Sequence, residues 1–72
     1  MMTRGLITPK GELFAYLRGD QLFTLDDEHT GYLEAEQIVD LARNPIWRLR
    51  GDAVFNLDFS ETIGYLSTPR RE

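Results

Sequence analysis

Short apolar runs alternate with polar, turn-rich segments along the chain, with a period of sixteen residues. The run LFTL that begins at Leu22 has counterparts in LITP at Leu6, IVDL at Ile38 and VFNL at Val54. After a polar stretch, each is answered by a second run that ends in leucine: FAYL at Leu17, TGYL at Leu33, IWRL at Leu49 and IGYL at Leu66. The fourth copy carries one extra residue in its turn. The runs are short and rich in Ile, Val, Phe and Tyr, which suits strands. The segments PKGE, RGDQ and ARNP recur too often to let a helix reach ordinary length. Residues 34–43, EAEQIVDLAR, would pass as a helix on local propensity, but their place in the repeat makes them turn and strand.

Side chains alternate across a strand. That rule puts the second position of each copy (Ile7, Phe23, Val39, Phe55) and the fourth (Pro9, Leu25, Leu41, Leu57) on one apolar face, read as the core together with the four terminal leucines. The polar third positions, Thr8, Thr24, Asp40 and Asn56, then share the opposite face with the first positions, Leu6, Leu22, Ile38 and Val54. The fold expected is all-β: four tandem β-hairpin repeats of about 16 residues in a pseudo-four-fold, flower-like or small barrel-like arrangement. The repeats are 6–21, 22–37, 38–53 and 54–70, within a single domain over 1–72. Residues 1–5 read as a frayed leader, and the polar segment after Leu66 as a tail that ends the fold.

The tandem pattern of a short apolar strand, a polar turn and then Ala-Tyr-Leu or Gly-Tyr-Leu resembles the 4-fold β-flower proteins, a small bacterial family. It is carried by Phe14-Ala15-Tyr16-Leu17, Thr30-Gly31-Tyr32-Leu33 and Ile63-Gly64-Tyr65-Leu66, with the strands LFTL at Leu22 and VFNL at Val54. The resemblance covers residues 6 to 66, and the third copy departs from it with Ile46-Trp47-Arg48-Leu49. It implies a fold and no activity, so it transfers no site residue.

Composition narrows the function classes. Seventy-two residues make one domain at most. A chain this small buries only about 60% of the surface its unfolded form exposes, so its stability is expected to be marginal. It has no cysteine, hence no disulfide or thiolate metal site. Twelve acids against eight bases give a net charge of −4, which argues against a nucleic-acid partner. No apolar run approaches the roughly 18 residues of a membrane span, and the N-terminal stretch lacks a signal-peptide core. A soluble, cytoplasmic protein is expected.

Candidate chemistry is sparse. Arg-Gly-Asp occurs twice, at Arg18-Gly19-Asp20 and Arg50-Gly51-Asp52, at the same place in the repeat, and reads as a tight turn rather than an adhesion tripeptide. Asp26-Asp27-Glu28-His29 offers oxygen ligands but lacks the spacing of a calcium loop, so it reads as a solvated hairpin tip. One histidine, no cysteine and two serines leave no nucleophile with its base, so neither catalysis nor a cofactor or metal is expected.

Two sets of residues remain. Trp47 and Arg48 stand where other copies have a small residue and tyrosine, and read either as a cover for the core or as an anchor for a partner. The polar ring Thr8, Thr24, Asp40 and Asn56 either faces solvent or lines an axial pocket for a small ligand or ion. The leading expectation is a structural or protein-interaction module that self-associates through Trp47 and the first positions; the alternative is a ligand-binding module built on the ring.

Overall fold

The computed structural model describes residues 2–68 and the backbone of 70–71. Eight antiparallel strands follow one another around a small barrel: β1 (Met2–Ile7), β2 (Leu13–Arg18), β3 (Gln21–Thr24), β4 (His29–Glu34), β5 (Gln37–Asp40), β6 (Pro45–Arg50), β7 (Ala53–Phe55) and β8 (Thr62–Leu66). Each strand pairs with its chain neighbours, and β8 returns to β1 through Leu6↔Leu66 and Ile7↔Tyr65, closing the sheet. A closed sheet leaves little unpaired backbone at an edge, a gain for a chain this short. The described residues contain no helix, and residues 34–43 form the end of β4, a turn, β5 and the start of the next loop.

Residues 2–5 are not a frayed end. Met2 to Gly5 belong to β1 and pair with β2, while the backbone of β9 (Arg70–Arg71) pairs with Met2 and Thr3. The tail after Leu66 therefore adds a short strand beside the chain's beginning. Pro69 lies outside the described residues.

The interior differs from the alternation reading. The first positions are the core: Leu6, Ile38 and Val54 are 0% exposed and Leu22 4%. They stand opposite the terminal leucines across the strand pairs, as Leu17↔Leu22, Leu33↔Ile38, Leu49↔Val54 and Leu6↔Leu66. Leu17, Leu49 and Leu66 are buried too, and Leu33 packs against the same cluster. Each fully buried aliphatic side chain contributes about 1.5–3 kcal/mol relative to leaving it in water.

The second positions Ile7, Phe23 and Phe55 are half-buried outside that cluster. Val39 is fully buried yet not part of it. The fourth positions lie beyond the strand ends, in loops.

A bulge explains the reversal. The pairing shifts register between Leu6 and Ile7, between Leu22 and Phe23, between Ile38 and Val39, and between Val54 and Phe55. The extra residues opposite these shifts are Phe14, Thr30, Ile46 and Ile63. A bulge sets two residues against one and bends the strand. Here Phe14 and Ile46 pack against the core cluster although the residues after them, Ala15 and Trp47, do so as well, and Ile63 packs against it beside the buried Gly64.

Two consecutive inward residues crowd the barrel, and glycine relieves this. A Cβ on Gly31 would collide with the Val39 carbonyl oxygen, and one on Gly64 with that of Ile7, while Phe14 lies 3.1 Å from the same point at Gly64. Ala15 holds the equivalent place opposite Leu6.

Two kinds of turn join the strands. At one end lie the two-residue reversals 19–20, 35–36 and 51–52, whose first residues Gly19, Ala35 and Gly51 have φ of 62°, 55° and 63°. Both Arg-Gly-Asp tripeptides are thus hairpin turns, and Asp52 also pairs with Arg4 at 2.6 Å. At the other end lie the longer loops after Thr8, Thr24, Asp40 and Asn56. Each contains a residue at positive φ, namely Gly11, Asp27, Arg43 or Phe59. A type I turn followed by a left-handed residue is a common three-residue hairpin loop.

Candidate functional site

The polar ring sits at the mouths of these longer loops, and each member caps its own. The main-chain N–H groups of Gly11, Asp27, Arg43 and Phe59 donate to the carbonyls of Thr8, Thr24, Asp40 and Asn56 at 2.8, 3.0, 2.9 and 3.1 Å. Side chains repeat the motif. Thr8 Oγ1 accepts from the N–H of Glu12, and Thr24 Oγ1 from those of Asp26 and Glu28. Asp40 Oδ1 accepts from Ala42 and Asn44, and Asn56 Oδ1 from Ser60 and Glu61. Short polar side chains at turn mouths satisfy backbone donors in this way. Their hydrogen bonds go to their own loops.

Between each cap and the next strand the loops present apolar residues to solvent. Leu25, Leu41 and Leu57 are 54%, 55% and 46% exposed, Pro9 is exposed at the same place in its loop, and Leu13 and Phe59 add to them. All six belong to one end of the barrel, because each loop joins an odd-numbered strand to the next even-numbered one. Alternation misread these leucines as core. The signal that separates them is a leucine directly after a turn-mouth cap, inside a polar loop.

The same loops carry charge. Glu12, Asp26, Asp27, Glu28, Asp58 and Glu61 stand in them against Lys10 and Arg43. Ser60 hydrogen-bonds to Asp58 and holds its carboxyl below the usual carboxylate range. Arg43 turns away, lying 4.6 Å over the Tyr32 ring and pairing with Glu34. Asp27 lies 3.9 Å from Arg18.

His29 does not gather with these acids. It opens β4 on an aromatic stripe, 5.4 Å from Phe23 and 4.8 Å from Tyr32 between ring centroids, with Nε2 2.8 Å from the Gly31 carbonyl oxygen. Tyr16 stacks on Phe23 at 5.8 Å, and the Arg18 guanidinium lies over both rings. Among the described residues no group of three His, Cys, Asp or Glu side chains is placed to hold a metal ion.

Trp47 and Arg48 point to different places. Trp47 takes the position of Ala15, Gly31 and Gly64, opposite Ile38, and is half-buried against the core. Arg48 is exposed, and its Nε donates to the Leu57 carbonyl at 3.0 Å, tying β6 to the loop of the fourth hairpin.

A cleft of about 710 Å³ opens beside β1 and β2, with Thr3, Gly5, Ile7, Tyr16, Arg18 and Ser67 among its lining. Gly5 keeps it open, since a Cβ there would come within 2.7 Å of Leu13 Cδ1. Thr3 Oγ1 is shielded from solvent and has no hydrogen-bond partner among the described residues.

No family model, curated protein or solved structure matches the chain. No helix among the described residues is long and apolar enough to cross a membrane.

Proposed function

We propose that the protein is a non-catalytic protein-interaction module that docks through the apolar rim at the long-loop end of its barrel. One observation carries this: Leu25, Leu41 and Leu57 remain about half exposed at one end of a molecule that buries all four first positions and three of its four terminal leucines. Large apolar groups collected on one part of a small surface mark contact sites. The scaffold is a pseudo-four-fold set of hairpins of the 4-fold β-flower kind. The sixteen-residue recurrence of the caps, the bulges and the positive-φ loop residues supports that reading. Non-catalytic character is supported by the sole histidine, whose ring is enclosed by Phe23 and Tyr32. The core position of Leu6, Leu22, Ile38 and Val54 withdraws them from any docking surface.

The triple variant Leu25→Ser, Leu41→Ser, Leu57→Ser tests this. It should melt as the parent does and lose fluorescence enhancement of Nile red, a neutral apolar reporter. A collapsed melting temperature, or unchanged Nile red binding, would refute the docking face.

A second reading rests on the cleft. The Thr3 hydroxyl, without a hydrogen-bond partner among the described residues, lines the cleft with Tyr16 and Arg18 and suits a small polar ligand, because a buried polar group gains about 1–3 kcal/mol when it is satisfied. Gly5→Ala would fill the groove, and fragment binding followed by amide shifts at Thr3 and Gly5 would disappear with it.

A further inference from the structure

We infer that the rim takes a basic, apolar segment of another protein, and that it disfavours a second copy of this chain. This rests on the docking reading above and adds the chemistry of the partner.

The argument is one of charge placement. The loop residues 9–12, 25–28, 41–44 and 57–61 hold six carboxylates and two cations, whereas the rest of the sequence holds six of each. By sequence, the whole formal excess of negative charge therefore falls within the loops that expose the leucines. The structure tempers this excess with three strand cations, since Arg18 lies 3.9 Å from Asp27 and the Arg48 and Arg50 guanidinium groups lie 5.8 and 4.4 Å over the Phe59 ring, but it does not cancel it. Arg43 is drawn onto Tyr32 and Glu34, which leaves Lys10 as the one loop cation without an ion-pair or ring contact among the described residues. Asp27 is answered by Arg18 from β2, whereas Glu12, Asp26, Glu28, Asp58 and Glu61 are exposed and form no ion pair among the described residues.

Those carboxylates flank the apolar groups in sequence: Glu12 precedes Leu13, Asp26 follows Leu25, and Asp58 stands between Leu57 and Phe59. An occupant must therefore present aliphatic side chains to the leucines and cations to their neighbours. Two rims brought face to face would set carboxylates against carboxylates, and like-charge juxtaposition suppresses a wrong partner. Basic side chains would be drawn in, more strongly at low salt, since the screening length is about 10 Å at 0.1 M.

The probes are three short synthetic peptides of one pattern: leucine with lysine, leucine with glutamate, and serine with lysine. Binding is followed by amide resonances of the whole protein. The leucine–lysine peptide should shift residues 9–13, 25–28, 41–44 and 57–61, and bind more weakly as salt rises. The other two should bind at least about tenfold more weakly. The variant Asp26→Asn, Glu28→Gln, Glu61→Gln removes charges whose side chains cap no loop, and should keep its melt while binding that peptide about tenfold more weakly, as three exposed pairs imply.

Equal binding of the glutamate peptide would overturn the inference, and so would equal binding of the serine–lysine peptide. If no peptide moves the loop resonances while Nile red still depends on the three leucines, the basic partner is refuted and the docking face survives. If Nile red fails as well, both fall. Concentration-dependent dimerisation in sedimentation, competed by the peptide, would make a second copy the occupant and refute the inference.

Discussion

Trp47 meets Phe14 edge to face, with ring centroids 6.1 Å apart and planes at 87°, linking β6 to β2. Aromatic pairs favour this geometry, which adds about 0.5–1.5 kcal/mol to what burial supplies. The one large residue in a row of otherwise small ones thus packs against a bulge residue of the first hairpin. Trp47→Ala removes that contact and leaves a void. Full burial would set the loss at about 3–5 kcal/mol, so a half-buried ring should lose about 1–3 kcal/mol in urea titrations followed by circular dichroism. Phe14→Ala should abolish the near-ultraviolet signal of Trp47 in the folded state. A loss under about 0.5 kcal/mol, as at surface sites, would place the tryptophan outside the packing.

Ile38 and Leu41 separate the two candidate faces. Both are apolar and lie in one copy, yet Ile38 is fully buried and Leu41 is 55% exposed. Ile38→Ala should cost about 2–5 kcal/mol, a large share of the stability of a domain this size. Leu41→Ala should stay within about 0.5 kcal/mol. Chemical denaturation of both variants checks the pair, and the reverse ranking would exchange core and rim.

The contrast shows what was legible in the chain and what was not. Short β-rich runs and recurring turns disclosed an all-β antiparallel fold, and the invariant leucines at 17, 33, 49 and 66 disclosed core positions. The faces were misread because alternation assumes an unbroken pleat. Each hairpin inserts one residue, as at Phe14 opposite the Leu6–Ile7 step, and counting from Leu25 or Leu41 starts inside a loop. The polar third positions were visible as a set, but their partners were not. A threonine that caps its own loop and one that faces an axis are the same letter. The rim was hidden for a related reason: a leucine in a loop reads as a leucine in a strand until the strand's end is known.

Ala35 carries a backbone conformation that its equivalents assign to glycine. Its φ is 55°, beside 62° at Gly19 and 63° at Gly51 in the matching turns. A left-handed conformation costs an L-residue with a Cβ about 1–2 kcal/mol, while glycine adopts it freely at some entropic cost in the unfolded chain. Ala35→Gly should therefore raise stability by about 0.5–1 kcal/mol net, a few degrees in a thermal melt of so small a domain. Gly51→Ala should lower it by a similar amount, and nothing lies within 4 Å of the added methyl to confuse the comparison. Opposite signs for the two exchanges are the expected result; a destabilised Ala35→Gly would mean that the turn relies on something other than its φ.

Asp40 caps its loop through a single carboxylate oxygen. Oδ1 accepts from the N–H groups of Ala42 and Asn44, both at 2.9 Å, while the Asp40 N–H donates to the Asn44 carbonyl. Any side chain with an acceptor at that point can hold the loop, and Asn56 does so in the last hairpin with its amide oxygen. Asp40→Asn should therefore be nearly silent, within about 0.5 kcal/mol. Asp40→Ala strips both donors of their partner and should cost about 1–2 kcal/mol, the range for loss of a comparable cap at a helix start. Water reaches this exposed loop, so the cost falls below the penalty for a fully buried unpaired group. Thermal melts of the two variants with and without magnesium or calcium decide the matter. If Asp40→Asn matched Asp40→Ala, or if either cation stabilised the parent and not Asp40→Asn, the negative charge itself would be required and an ion-binding role for this position would be supported.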